Sequence, residues 1–376
     1  MEGNSQIKKK KVLFLVEAFD KGGIEKVTLD IVNHLDPQRY DITVQTFWYG
    51  GHCQSLVNSN VCVIPFFFRR YVKGIIRLIE CLSPQLLYRL FVHGDYDIEI
   101  AASDGGAAKV ISGSNNKKAK KICWVHMDVA NQGSKLKEYS SKETAAKIYT
   151  KFDKIVCVSD YARSQFLTKF GEQYQVECVH NQIPMDSIYK LAEERISEVF
   201  DSEKFHIVAV GSLMQVKGFD RLIRVCGELS QRENLPVELY IVGSGPMKDE
   251  LQAIIDEGLY SNVKLLGFKA NPYPYIKKAN LFVCSSYSEA YPLVLGESFI
   301  LGTPVLGTRC SGVCEWMEKD QSGLIVENTE AALYAGIKQM VVSKTVWEDF
   351  KNRAEKKSLS LNFKEAMDTW EKVFLS

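Results

Sequence analysis

The sequence has no excess of either charge, no long apolar run and no C-x-x-C cysteine pair. Its 47 Lys and Arg residues against 46 Asp and Glu residues leave a net charge of +1, which argues against a general polyanion-binding protein. Charges interrupt every apolar stretch within about 20 residues, so no segment is a candidate transmembrane helix. Ten cysteines without a C-x-x-C pair or an export signal favour a reducing, cytoplasmic location over a disulfide framework or a zinc site.

The chain of 376 residues is longer than the ~250–300 residues that one hydrophobic core usually supports. Strand-like and helix-like segments alternate, and the alternation begins again after residue 184, which predicts two parallel α/β domains. We expect an N-terminal domain over residues 1–183, a C-terminal domain over 184–362, and an amphipathic helix over 363–376 that packs back on the first domain. Two similar α/β halves imply a ligand cleft between them, facing the carboxyl ends of the strands.

The predicted strands are short β-branched or aromatic runs. They are Val12–Val16, Ile42–Phe47, Val61–Phe67, Ile98–Ala101, Ile122–Val125, Ile155–Val158 and Val176–Val179 in the first half, and Ile207–Val210, Val237–Val242, Val263–Leu266, Leu281–Cys284 and Pro304–Leu306 in the second.

The segment from Ser285 to Glu297 is the richest in chemistry. A buried strand leads into a polar loop that carries Glu289, and a helix is predicted to start near Pro292 with Glu297 inside it. Backbone N–H groups over residues 290–294 would then face a ligand and suit a diphosphate or sugar hydroxyls. The alternative is that Glu297 is a solvated helix residue and Glu289 an ordinary loop charge.

Three glycine-containing loops also follow predicted strands. Gly211 ends a strand ahead of Lys217-Gly218, a natural counter-charge for a phosphate at a helix start, although a lone Lys-Gly is more often a surface turn. Gly22-Gly23 lies between the first strand and a helix, where glycine lets the backbone approach a ligand. Gly243-Ser244-Gly245 is a G-x-G that departs from the dinucleotide fingerprint, because Pro246 and Met247 follow it.

With these motifs the chain resembles the retaining, nucleotide-sugar-dependent glycosyltransferases of family 4, which have the two-Rossmann architecture called GT-B. Glu289 and Glu297 match the Glu-x7-Glu motif of that family, and Gly211, Leu213, Lys217 and Gly218 match its G-R-L-x-x-x-K-G segment. The loops at Gly22-Gly23 and Val242–Pro246, and the runs Gly302–Pro304, Ser311–Glu315 and Gly323–Val326, extend the match over nearly the whole chain. The loops around residues 271–273 and 285–292 look most like those of bacterial capsule, exopolysaccharide or lipopolysaccharide transferases.

The resemblance implies transfer of a sugar from a UDP- or GDP-sugar to a hydroxyl of a glycan or polyprenyl-diphosphate-linked acceptor, with retention of configuration. It implies that Glu289, His126 and Lys217 are catalytic, Glu289 contacting the donor sugar and Glu297 holding the ribose. A lone His after a strand is more often structural, and only the family position favours a functional His126. The donor-binding residues implied are Gly22, Gly23, Gly211, Ser212, Lys217, Gly243, Ala290, Tyr291, Pro292, Leu293, Val294 and Glu297.

One departure concerns the diphosphate. Ser212 stands where the family commonly has Arg, and a hydroxyl does not replace a bidentate guanidinium. Either Lys217 and the helix termini suffice, or another base such as Arg309 substitutes. No cofactor and no metal is expected. The rival interpretations are a nucleotide-sugar epimerase of the same fold, or a catalytically weak sugar-nucleotide-binding subunit for which Ser212 is the only hint.

The segment 66–91 is locally basic although the whole chain is neutral. Arg69, Lys73 and Arg77 recur every four residues, with Arg70 and Arg89 nearby and Glu80 as the one acid. A basic amphipathic helix of this kind is typical of a membrane surface, whereas the plainer interpretation is a core helix with a wet face. Because acceptors in the family are frequently lipid-linked, we expect peripheral attachment to the inner leaflet.

Overall fold

The computed structural model of the protein describes residues 8–19, 22–48, 51–67, 81–126, 141–181 and 183–375. The chain divides into two compact units. Unit one comprises Met1–Gln182 and Lys364–Ser376, and unit two comprises Ile183–Phe363. No helix among the described residues is long and apolar enough to cross a membrane. Residues 68–80, which contain most of the predicted basic helix, lie outside the described residues.

Unit one contains a parallel sheet of seven strands in the order β3-β2-β1-β4-β5-β6-β7. The strands are β1 (Lys10–Val16), β2 (Tyr40–Trp48), β3 (Cys62–Phe67), β4 (Ile98–Ala101), β5 (Lys120–Val125), β6 (Lys154–Cys157) and β7 (Val176–Cys178). The helices are α1 (Gly23–His34), α2 (Pro84–Phe91), α3 (Gly106–Ile111), α4 (Lys142–Tyr149) and α5 (Asp160–Phe170), with a 3₁₀ turn at His52–Leu56. Strands β1, β2, β4, β5 and β6 are buried over most of their length, as expected for a parallel sheet covered on both faces, whereas the edge strands β3 and β7 are more exposed.

The last helix, α14 (Phe363–Leu375), joins unit one although it follows unit two in sequence. Its Trp370 is fully buried and meets Trp124 of β5 edge to face, with ring centroids 4.5 Å apart. Phe374 packs in the same way against Phe14 of β1. Lys120 also donates to the carbonyl oxygen of Val373 at 2.6 Å. The apolar face of α14 therefore packs on aromatic side chains of unit one, Phe14 and Trp124.

Unit two repeats the plan with six parallel strands in the order β10-β9-β8-β11-β12-β13. The strands are β8 (Phe205–Val210), β9 (Val237–Val242), β10 (Val263–Gly267), β11 (Leu281–Cys284), β12 (Val305–Thr308) and β13 (Leu324–Val326). The helices are α6 (Met185–Leu191), α7 (Phe219–Glu233), α8 (Lys248–Glu257), α9 (Tyr273–Lys278), α10 (Leu293–Ile300), α11 (Ser311–Met317), α12 (Glu330–Val342) and α13 (Lys344–Ser360), with a 3₁₀ turn at Gln215–Lys217. The order of the strands reverses between β8 and β11, which are direct neighbours.

The predicted α/β class and the two parallel sheets are confirmed. The predicted strands recur within two residues at each end, and Val237–Val242 and Leu281–Cys284 are reproduced residue for residue. The strand prediction omitted β13, a three-residue strand whose side chains are only half-buried. Such a short edge strand has too few residues to show a periodic pattern.

Candidate donor site

Lys217 and Glu289 form the centre of the site in unit two. Lys217 ends the 3₁₀ turn after β8, and Glu289 lies in the loop after β11. Because β8 and β11 are parallel neighbours at the point where the strand order reverses, both loops leave the same edge of the sheet. The Nζ atom of Lys217 donates to Oε1 of Glu289 at 2.6 Å. The sheet topology thus joins two residues 72 positions apart.

The ion pair is only partly exposed. The side chains of Lys217 and Glu289 retain 23% and 13% of their accessible surface. Burial opposes the lysine's charge, but the adjacent carboxylate outweighs this effect and the pKa of Lys217 is raised. Ser286 donates a second hydrogen bond to Oε1 of Glu289 at 2.7 Å. A fixed cation and a fixed carboxylate therefore stand side by side at the sheet edge.

The helix after Glu289 starts where the sequence predicts. Pro292 takes the N-cap position of α10, and no side chain caps the helix. Since the first N–H groups of a helix have no intrahelical partner, those of Leu293 and Val294 can face an anion. Pro292 itself has no N–H group and contributes the turn rather than a donor. The predicted row of donors over 290–294 is therefore interrupted at its centre.

Glu297 is not a solvated helix residue. Its side chain retains 3% of its surface, and the hydroxyl of Tyr273 lies 3.4 Å from its Oε1 atom. The alternative interpretation of Glu297 as a wet surface charge is therefore wrong. Glu297 is therefore a buried carboxylate in the second turn of α10, and a carboxylate can accept hydrogen bonds from two hydroxyl groups.

Gly211 and Gly243 hold the loops after β8 and β9 against each other. A Cβ atom on Gly243 would lie 1.8 Å from the carbonyl oxygen of Gly211, and one on Gly245 would lie 2.5 Å from that of Leu213. The N–H of Leu213 donates to Ser244 at 3.0 Å, which locks this contact. Ser212, which lies between Gly211 and Leu213, is exposed. Glycine here serves close packing of two backbones beside Lys217.

The N-terminus of α11 supports the Glu289 loop. The N–H of Gly312 and the hydroxyl of Ser311 both donate to the carbonyl oxygen of Glu289 at 2.9 Å. A Cβ atom on Gly312 would lie 2.8 Å from the carbonyl oxygen of Ala290. Tyr291, the next residue, stacks on the indole of Trp316 from the same helix at 4.7 Å. These contacts hold residues 289–291 against α11.

Arg309 is engaged elsewhere. Its guanidinium donates to Glu318 at 2.7 Å and to Glu327 at 3.0 Å. Two carboxylates hold this arginine, and its pKa is raised by them. Arg309 would have to leave two carboxylates to meet a diphosphate, whereas Lys217 has one carboxylate partner among the described residues, Glu289.

The remaining predicted residues lie in unit one, at the carboxyl edge of its own sheet. Gly22 is the N-cap of α1 and Gly23 its first residue, where a Cβ atom would meet open space. His126 follows β5 and packs on the indole of Trp124 with ring centroids 4.2 Å apart. Burial lowers the pKa of His126 to about 3, so its imidazole is neutral at pH 7, and its buried Nε2 atom has no hydrogen-bond partner among the described residues.

Sequence reasoning missed four residues that hold the Glu289 loop through hydrogen bonds. They are Arg221, Ser286, Thr308 and Asn328. The available signal was position. Thr308 ends β12 and Asn328 follows β13, so both are polar side chains at the carboxyl edge of a buried parallel sheet.

Comparisons with known proteins bear on the family and the fold. Residues 21–187 match the family model described as Glycosyltransferase Family 4, and residues 192–357 match that of Glycosyl transferases group 1. The structure of Anabaena HepE in complex with UDP and glucose superposes with a TM-score of 0.77 at 18% identity, covering 97% of this chain and 99% of that one. The predicted GT-B fold is confirmed. The chain belongs to the glycosyltransferases of the GT-B fold.

Two curated relatives are similar over part of their length. The N-acetylgalactosamine-N,N'-diacetylbacillosaminyl-diphospho-undecaprenol 4-alpha-N-acetylgalactosaminyltransferase of Campylobacter jejuni is 34% identical over 182 residues, 48% of each chain. The lipopolysaccharide core biosynthesis glycosyltransferase LpsD of Rhizobium meliloti is 26% identical over 194 residues, 51% of this chain and 54% of the relative. The matches thus span about half the length of these two proteins.

Proposed function

We propose that this protein transfers a glycosyl group from a nucleoside-diphosphate sugar, a UDP- or GDP-sugar, to a hydroxyl of a glycan or lipid-linked acceptor in cell-surface polysaccharide synthesis. The observation that carries the proposal is the pairing of Lys217 with Glu289 beside the start of α10. This arrangement offers a cation and N–H donors for a diphosphate and a carboxylate for sugar hydroxyls. Support comes from UDP and glucose in the HepE structure and from the relatives named for undecaprenol-diphosphate glycan and lipopolysaccharide core synthesis.

The reaction we propose proceeds with retention at the anomeric carbon. The bond from that carbon to the diphosphate oxygen breaks, and a bond to the acceptor oxygen forms on the same face. Negative charge grows on the leaving phosphate, where Lys217 and the N–H groups of Leu293 and Val294 stabilise it. The diphosphate itself takes the acceptor's proton, so no second carboxylic acid is needed.

Each further residue has one task in this scheme. Glu297 holds the ribose hydroxyls from its buried position on α10. Glu289 leaves Lys217 and accepts hydrogen bonds from the donor sugar, with Ser286 keeping its carboxylate in place. The neutral imidazole of His126 donates or accepts a hydrogen bond near the reacting carbon. Gly22 and Gly23 let the start of α1 approach the diphosphate.

We also propose that transfer needs no divalent metal. The proposal rests on Lys217, whose raised pKa keeps it charged at any physiological pH, and on the open N-terminus of α10. Full turnover in EDTA, matched by turnover in added Mg²⁺ or Mn²⁺, is the expected result. Loss of activity in EDTA with recovery on adding metal would contradict it.

Peripheral attachment to the inner leaflet is a further part of the proposal. In the described part of segment 66–91, helix α2 exposes Leu86 and Leu90, with 41% and 40% of their surface accessible, beside the exposed Arg89. Apolar and basic side chains side by side suit an anionic membrane surface. We expect the protein to float with vesicles containing anionic lipid, and Arg69, Lys73 and Arg77 changed to Glu to abolish this. Vesicle binding that the triple substitution leaves unchanged would contradict this part of the proposal.

A panel of UDP-, GDP- and other sugar nucleotides, offered with and without glycan or polyprenyl-diphosphate-linked acceptors, tests the function. Mass and anomeric configuration of the product then define donor, acceptor and stereochemistry. Turnover that requires an acceptor supports a transferase. Interconversion of donor sugars without acceptor would indicate an epimerase, and binding without chemistry a sugar-nucleotide-binding subunit.

A further inference from the structure

Arg221, in the first turn of α7, is a buried cation. Its side chain retains 2% of its surface. In the described part of the chain it makes no ion pair with a carboxylate, since the neighbouring acids Asp220 and Glu330 are both paired with Arg224. Its hydrogen-bond acceptors are neutral oxygens, and its guanidinium lies 4.0 Å from the ring centroid of Tyr287. A buried charge without a counter-ion is costly, so it needs a function or full hydrogen bonding.

The guanidinium binds the loop that carries Glu289. Its Nε atom donates to the carbonyl oxygen of Ser285 at 3.1 Å, and Nη2 donates to the same oxygen. Nη2 also lies 2.7 Å from Oδ1 of Asn328 and 3.3 Å from the hydroxyl of Thr308. One planar side chain therefore reaches the ends of three strands.

The two side chains that Arg221 contacts hold the next two residues of the loop. The hydroxyl of Thr308 donates to the carbonyl oxygen of Ser286 at 2.6 Å. The side-chain amide nitrogen of Asn328 donates to the carbonyl oxygen of Tyr287 at 3.0 Å. Three consecutive carbonyl oxygens, at 285, 286 and 287, are thus held by Arg221 or by its direct partners.

The same network reaches Lys217. The hydroxyl of Ser285 donates to the carbonyl oxygen of Lys217 at 2.9 Å, and the N–H of Tyr287 donates to that of Val216 at 2.8 Å. Gly218 makes room, because a Cβ atom there would lie 2.9 Å from Nε of Arg221. The loops of Lys217 and Glu289 are therefore joined through the residues that Arg221 holds.

We propose that Arg221 is a positioning residue, which fixes the 285–289 loop so that Glu289 and Lys217 face a sugar diphosphate in their reactive geometry. This role rests on the proposed function of the site. A planar fork suits it, since its N–H groups hold several fixed oxygens at once, which a lysine ammonium does not reproduce. The guanidinium does not itself touch the donor in this scheme.

The test compares Arg221→Met with Arg221→Lys and with Arg224→Met as matched control. Arg224 lies one turn along the same helix and pairs with Asp220 and Glu330, whose side chains retain 20% and 45% of their accessible surface. Amide hydrogen exchange of a peptide spanning residues 281–292, followed by mass spectrometry, reads the loop directly. We expect exchange at least tenfold faster in Arg221→Met and unchanged in Arg224→Met.

Kinetics with the donor that the wild type uses give the second readout. Arg221→Met is expected to lower kcat about 100-fold, with KM for the donor within about threefold, and Arg221→Lys to recover about tenfold of that loss. A purely structural role would reduce the folded fraction and leave kcat per folded molecule unchanged, with no rescue by lysine. Circular dichroism supplies the folded fraction.

Thr308→Val serves if Arg221→Met does not fold, because it keeps the guanidinium and removes the hydroxyl that contacts Arg221 and holds Ser286. It is expected to accelerate loop exchange without unfolding unit two. Unchanged exchange in the Arg221 and Thr308 variants, or equal acceleration in Arg224→Met, would overturn the proposal. If the wild type transfers no sugar from any donor, the proposed function fails, while the exchange measurement still decides whether Arg221 fixes the loop.

Discussion

Replacing Glu289 by Gln is expected to strengthen the binding of free UDP while abolishing sugar transfer. In the ligand-free protein Lys217 already has a partner, the Glu289 carboxylate at 2.6 Å. A diphosphate must compete with that carboxylate for the ammonium. Glutamine is nearly isosteric and keeps an oxygen for the Ser286 hydroxyl, so the variant removes the competing charge without opening a cavity. Transfer is lost because the amide no longer accepts strong hydrogen bonds from the donor sugar.

The size of the effect follows from burial. Exposed ion pairs contribute about 0–1 kcal/mol, and breaking fully buried ones costs about 3–5 kcal/mol. With 23% and 13% of the two side chains accessible, this pair lies between those limits, and we take about 1–2 kcal/mol. Since 1.4 kcal/mol is a factor of ten, Glu289→Gln should lower the Kd for UDP roughly 5- to 30-fold.

Isothermal titration with UDP measures the Kd, and product formation from the active donor measures transfer. Glu330→Gln is the matched control, because Glu330 pairs with Arg224 in the same unit and touches neither Lys217 nor Glu289. Its Kd and its turnover should equal those of the wild type. An unchanged or weaker affinity for UDP in Glu289→Gln would refute the idea that the two groups compete for Lys217.

Three further predictions concern stability. Gly218→Ala and Gly267→Ala both place alanine at a positive φ, +61° and +70°, but only at Gly218 would the Cβ atom lie 2.3 Å from a carbonyl oxygen. Urea unfolding should show that Gly267→Ala lowers the free energy of unfolding by about 1–2 kcal/mol. Gly218→Ala should lower it by about 1–3 kcal/mol more, and equal losses would contradict a steric clash at Gly218. Burial lowers the pKa of His126 to about 3, so the unfolded chain binds its proton first as pH falls below about 6.5. The wild type should then lose roughly 2 kcal/mol between pH 7.5 and 5, and His126→Gln should lack this part of the pH dependence. Trp370→Ala should cost unit one about 3–5 kcal/mol in thermal unfolding, whereas Leu375→Ala, 56% exposed on the same helix, should change it by less than about 0.5 kcal/mol.

Much of the fold could be predicted because the central strands of both sheets are buried on both faces. Leu281–Cys284 is a continuous apolar run between Asn280 and Ser285, and Val237–Val242 is apolar except for Glu238. Short runs of this kind with turn residues beside them are typical of buried parallel strands. The strand β13 escaped because three half-buried residues carry no periodicity. The helix α13 was not predicted because its apolar face is narrow, and within it only Ala354 and Ser358 are buried.

The site was only partly predictable. Glu289, Glu297 and Lys217 stand in recognisable motifs, and the resemblance of those motifs to a known family implied a sugar diphosphate. The neighbours that hold them have no such motif. Arg221 reads as an ordinary helix arginine, and its burial follows from the close approach of α7 to the loops after β11, β12 and β13, which is a property of the packed unit.

By itself the sequence determined that this protein is a pair of parallel α/β units with a carboxylate–lysine chemistry distributed over distant loops. Alternation of apolar runs with helical segments predicts that class, and the balance of 47 positive against 46 negative residues argues against a general polyanion binder. Only the tertiary structure decided that Lys217 and Glu289 touch, that Glu297 is buried and that Arg309 is held by two carboxylates. The physical reason is that strand order is set by long-range pairing, which places β8 beside β11 and so joins loops that are far apart along the chain.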